Sequence, residues 1–153
     1  MQAFLPFAVL SLALIAAPAP DPDKPKTDKE NIEGVWTIVT VEQDGVELKD
    51  GALFDNVKDM KLTFKGDAVT NSKHPEDKAT FTIDATKKPP TMDLIVKGSS
   101  DEVRESMLML YELKDDTLKL CAVMAKDKRP TEMTSKNGQL LLILKREAAK
   151  PPK

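Results

Sequence analysis

Residues 107–122, MLMLYELKDDTLKLCA, place Met107, Met109, Tyr111 and Leu113 on one side of an extended chain and Glu112 and Lys114 on the other. Asp115-Asp116 then supplies a turn, and Leu118, Leu120 and Ala122 return with the same spacing. Side chains that repeat every second residue alternate between the two faces of a strand, so the stretch reads as an antiparallel hairpin with one apolar face. A helix would need a period near 3.6, which is absent here.

The same period runs outward in both directions. Downstream, Asn137-Gly138 is a two-residue hairpin signal joining residues 131–134 to the apolar run 140–144. Upstream, Met92, Leu94 and Val96 follow the Lys87-Lys88-Pro89-Pro90 interruption and return against Phe81 and Ile83. Met60, Leu62 and Phe64 alternate with Lys61, Thr63 and Lys65 before Gly66-Asp67 turns the chain into residues 68–70. Residues 35–41, VWTIVTV, are rich in β-branched side chains and end at Asp44-Gly45, with a return strand beginning at residues 46–48. Residues 51–57 and 99–106 read as short helices.

Together these runs predict an all-β domain of about 8–10 strands in sequence-local hairpins, a small antiparallel up-and-down β-barrel, because closure removes exposed sheet edges. An open two-sheet sandwich has the same strand count and stays as the alternative.

A chain of 153 residues, 41% hydrophobic and 31% charged, is long enough for one domain with a core. Its 23 basic and 25 acidic residues are interspersed, which disfavours nucleic acid as a partner. The single cysteine, Cys121, rules out an internal disulfide.

Residues 1–19 have the plan of a signal peptide: an apolar run at 4–17 followed by small residues, too short for a comfortable membrane span. Residues 20–31 form a proline- and charge-rich linker that ends in a short helical turn. There Thr27 and Glu30 have the spacing of a capping box. The barrel is assigned to residues 32–146 and a disordered tail to 147–153. The expected product is exported, periplasmic or extracellular, monomeric and without a transmembrane segment in its mature form.

Several segments carry a resemblance: IEGVW (32–36), IDATKKPPTMDL (83–94), YELKDDTLKLC (111–121), KRPTEM (128–133) and LKR (144–146). Gly34-x-Trp36 matches the motif that opens the first lipocalin strand, and Arg146 ends the last strand where lipocalins place an arginine near that tryptophan. In this order the segments resemble an uncharacterised lipocalin-like domain family best known from planctomycete bacteria, over nearly the whole mature domain. Two positions depart from that pattern, Met109-Leu110 where Gly-Ile is common and Met133 where phenylalanine is usual; both stay apolar. The resemblance implies a compact, frequently exported barrel of unknown function and brings no catalytic residues.

The resemblance also implies that Trp36 and Arg146 stand on adjacent first and last strands, the guanidinium over the indole, as a structural pair. His74 is the only histidine, in a polar turn, so an ordinary zinc site is not expected, and no metal or other cofactor is assigned. Cys121 shares parity with Lys119 and should face away from the interior as a structural thiol. Asp84 should bond its own turn backbone. No catalytic residue is assigned.

Met60, Phe64, Phe81, Met92, Met107 and Met109 share an inward parity that offers no charged group, and methionine adapts to variable apolar shapes. They are the candidate ligand-binding residues, either lining a pocket for a small hydrophobic ligand or simply filling the barrel. Function is therefore read as an exported, non-enzymatic lipocalin-like domain that binds a small apolar ligand, or alternatively as a cell-envelope protein-interaction or scaffold module. An internal cavity would favour the first, and a filled barrel with an exposed apolar patch the second.

Overall fold

Alternation at period two becomes an unbroken antiparallel sheet in the computed structural model, which describes residues 25–148 apart from 99, 101, 124, 126 and 127. The elements in chain order are α1 (Asp28–Ile32), β1 (Gly34–Gln43), β2 (Val46–Glu47), α2 (Ala52–Val57), β3 (Lys61–Lys65), β4 (Ala68–Asn71), β5 (His74–Asp84), β6 (Thr91–Lys97), β7 (Val103–Lys114), β8 (Thr117–Val123) and β9 (Gln139–Arg146). The expected signal peptide at 1–19, the first part of the linker and residues 149–153 of the tail lie outside the described residues.

β1 pairs with β3 on one side and with β9 on the other, so the sheet closes on itself. The fold is a closed eight-stranded antiparallel barrel of lipocalin-like form, with β2 as a short hairpin extension of β1. Closure sets aside the two-sheet sandwich. Asp44 and Gly45 take φ of 53° and 81°, the left-handed pair that a two-residue hairpin of this twist requires.

β1 explains how apolar residues of both parities serve one core. Trp36 and Ile38 point inward, the register against β9 shifts between Ile38 and Thr40, and beyond this bulge Val41 points inward instead. Val39, on the bulge, stays 49% exposed.

One end of the barrel is plugged. The Thr27–Glu30 capping box forms, and the single turn of α1 carries Ile32, fully buried, against the core. Trp36 Nε1 donates to Ile32 O at 2.7 Å, and Tyr111 Oη donates to Asp28 Oδ2 at 2.7 Å. Burial and the Asp28 carboxylate together push the Tyr111 phenol well above its ordinary range. Arg146 stands opposite Trp36 in register with its guanidinium carbon 4.2 Å from the indole centroid, and it donates to Glu33 O, Asn31 O and Asp116 Oδ1. A Cβ at Gly34, whose φ is +124°, would sit 3.1 Å from Arg146 Nη1. The glycine of the G-x-W motif is thus required both by backbone conformation and by the passage of the arginine.

The structure corrects three expectations of local structure. Residues 103–106 of the stretch read as a helix are the first residues of β7. Residues 131–134 are not a strand: Asn137 and Gly138 do form a turn of positive φ, but β9 takes β8 as its partner, with Val123 opposite Gln139. The chain before that turn crosses the outside of the sheet as a strap. Glu147, assigned to the tail, is tied down by its backbone N–H to Val35 O and by side-chain contacts with Thr37 and Lys61.

Candidate functional site

The part of the barrel next to α1 holds the large buried side chains. Phe64, Phe81, Met92 and Met109 are buried there with Trp36, Tyr111, Leu118 and Leu144, and the rings of Phe64 and Phe81 meet edge to face at 5.0 Å. Among the described residues no buried side-chain nitrogen or oxygen lacks a hydrogen-bond partner, so this interior presents no polar group to a ligand. Four of the six residues expected to line a pocket are therefore core filler. Met60 is half-buried against the same core beside α2.

Met107 is different, because it lines a cleft of about 460 Å³ at the end away from α1. Leu53 of α2, Ala122 of β8 and Leu140 of β9 join it as an apolar floor, while Arg104, Glu105 and Lys128 stand on its walls. Arg104 is held by Asp77 of β5 at 2.6 Å. The site thus carries charges, contrary to the expectation of an interior without them, because residues of both parities of β7 line it. A shallower groove of about 220 Å³ lies between the β1 bulge and α2, lined by Ile38, Val39, Val41 and Phe54.

Above Leu110 the described residues of β7 and β8 no longer pair. The ladder between β7 and β8 extends from Lys114–Thr117 to Leu110–Cys121 and stops, although β7 continues back to Val103. Leu53, Val103, Arg104, Glu105, Leu108 and Leu140 were not anticipated as site residues, since parity identifies faces and is silent about edges.

The strap covers the outer side of the sheet below the cleft. Arg129 Nη1 donates to Met109 O at 2.7 Å and its Nη2 pairs with Asp93, while Met133 packs on Leu110, Cys121 and Leu141. Cys121 points outward and is fully buried under this cover, its thiol 3.2 Å from Thr134 O and 3.3 Å from Gln139 Oε1. Burial pushes its pKa up, the opposite of what a nucleophile needs. His74 opens β5 as an exposed side chain, and Asp84 accepts from Thr86 in its own turn. Among the described residues no group of three or more His, Cys, Asp or Glu could hold a metal ion, and no helix is long and apolar enough to cross a membrane.

Comparison with known protein families, with curated proteins and with solved structures finds no match for this chain.

Proposed function

We propose that the protein is an exported, non-enzymatic binding module that takes the apolar body of its ligand into the cleft in the barrel wall. The observation that carries this reading is the cleft itself: about 460 Å³, over a floor of Leu53, Met107, Ala122 and Leu140. That volume falls within the range of about 300–1,000 Å³ of small-ligand sites. The non-catalytic part is supported by the placement of the reactive groups, since the Cys121 thiol is buried beneath the strap and His74 opens a strand three places away in the sheet. Catalysis by either would require a base within hydrogen-bond reach of a nucleophile.

An apolar solvatochromic dye is expected to gain emission on binding the protein. Ala122→Trp, which fills the floor, should weaken that binding at least about tenfold. Equal affinity for both proteins would place the dye elsewhere and refute the cleft as the site. Trp36 lies at the plugged end and is a poor reporter of this cleft.

Export rests on the apolar run at 4–17 and the proline-rich segment after it. Mass spectrometry of cell-derived protein should find the mature N-terminus between Ala17 and Asp21, in material from outside the cytoplasm. A full-length chain beginning at Met1 in the cytoplasmic fraction would contradict this.

A further inference from the structure

We infer that the Asn137-Gly138 turn is a site of covalent self-modification: Asn137 loses its side-chain amide through a cyclic imide, and the carboxylate so formed releases the end of the strap from the β1–β2 turn. Asn137 and Gly138 take φ of 59° and 74°, and both are exposed. Glycine has no side chain to hinder the approach of its nitrogen to the preceding side chain, and a Cβ built at 138 would meet nothing within 4 Å, so the turn is open to water. The other asparagines, Asn31, Asn56 and Asn71, are followed by isoleucine, valine and serine.

The only co-reactant is water. The Gly138 nitrogen bonds to Asn137 Cγ as the Cγ–Nδ2 bond breaks, and the proton that the backbone nitrogen gives up leaves with the side-chain nitrogen as ammonia. Water then opens the ring at one carbonyl or the other, giving aspartate, or isoaspartate with the chain routed through the former side chain. In the folded turn this closure is held back. Gly138 N–H donates to Asp44 Oδ1 at 3.2 Å, which keeps the proton on the nitrogen and sets a negative charge against the anion that closure requires. Gln139 N–H donates to Lys136 O at 3.1 Å and closes the turn around the pair. Ring closure therefore follows local opening, and the Asp44 contact sets how often the turn opens.

The product undoes the hold. Two carboxylates of the β1–β2 hairpin grip this end of the strap, Asp44 through Gly138 N–H and Glu42 through Ser135 Oγ, each at 3.2 Å. A carboxylate at 137 stands one peptide bond from the nitrogen that Asp44 holds, so like charges meet where a neutral amide stood. Isoaspartate also lengthens the turn by one backbone atom, which a two-residue hairpin loop does not accommodate. Thr134 O and Gln139 Oε1, on either side of the turn, are the groups that contact the buried Cys121 thiol. Loosening there uncovers the thiol.

Incubation of the full chain at neutral pH, followed by peptide mapping with mass spectrometry, tests the modification. Conversion is expected at Asn137 and not at Asn31, Asn56 or Asn71. It should be about threefold to tenfold faster in Asp44→Gly, since glycine accepts the φ of 53° at that position and lacks only the acceptor. Asn137 intact in both proteins, or equal rates in the two, overturns the proposal. Release of the strap is read by the rate at which a thiol reagent labels Cys121 in fresh protein. Asn137→Asp should raise that rate at least about threefold, whereas Asn137→Gly, which keeps the turn and adds no charge, should stay within about twofold of the wild type. Equal labelling of Asn137→Asp and the wild type overturns the release, and so does an equal rise in Asn137→Gly, which would assign the effect to loss of the side chain.

Discussion

Trp36→Ala is expected to lower unfolding stability by about 3–5 kcal/mol, measured by chemical denaturation. The indole is fully buried at the plugged end, where it meets Ile32 of α1, and its Nε1 hydrogen bond to Ile32 O joins that helix to the barrel. Truncation removes the ring's transfer energy, leaves a cavity in a floor that cannot collapse because strands surround it, and frees the Ile32 carbonyl from its donor. Arg146→Ala should cost less, about 1–2 kcal/mol. The guanidinium contributes a cation–π contact at 4.2 Å and hydrogen bonds to carbonyls near the surface, which water can replace. Sub-kcal effects of equal size for both variants would mean that Trp36 does not close the barrel.

Phe81→Ala is expected to cost about 3–5 kcal/mol as well, with Phe54→Ala clearly less. Phe81 is 1% exposed and stands edge to face with Phe64 in the middle of the packed region. Phe54 lies half-buried on α2 beside the shallow groove, where solvent and a short helix can relax around a smaller side chain. The contrast tests the division of the barrel into the part next to α1, which holds the large buried side chains, and an open part at the other end. If Phe54→Ala were the costlier change, the part next to α1 would be looser than the structure shows.

The residues that decide the fold were legible because the period-two pattern is a backbone property: Tyr111, Leu113, Leu118 and Leu120 enter the core as their spacing requires. Trp36 and Arg146 were legible from the resemblance to lipocalin first and last strands, and the Thr27–Glu30 box from local capping chemistry. Val41 needed the bulge at Val39 to reach the core, and no single residue type announces a bulge there. Asn137-Gly138 was read as a hairpin because a turn of positive φ is a local event. Which strands lie beside β9 is a long-range matter: it pairs with β8 and with β1.

The candidate site was only partly legible for a related reason. Inward parity finds residues that face the axis, so it collected Phe64, Phe81, Met92 and Met109, which fill the barrel. The cleft is lined by residues 103–108 of β7, of both parities, where the ladder with β8 has stopped. Met107 alone belongs to both descriptions. Leu108, of the opposite parity, lines the cleft and was not among the candidates.

Methyl spectra of methionine-labelled protein, recorded while an apolar ligand is titrated, separate the two places directly. Met107 lies in the cleft, whereas Met92 and Met109 are buried in the packed barrel at 1% and 4% exposure. The account predicts that the Met107 methyl shifts with saturation while those of Met92 and Met109 stay in place. Movement of Met92 and Met109 with Met107 unchanged would put the ligand on the barrel axis and contradict it.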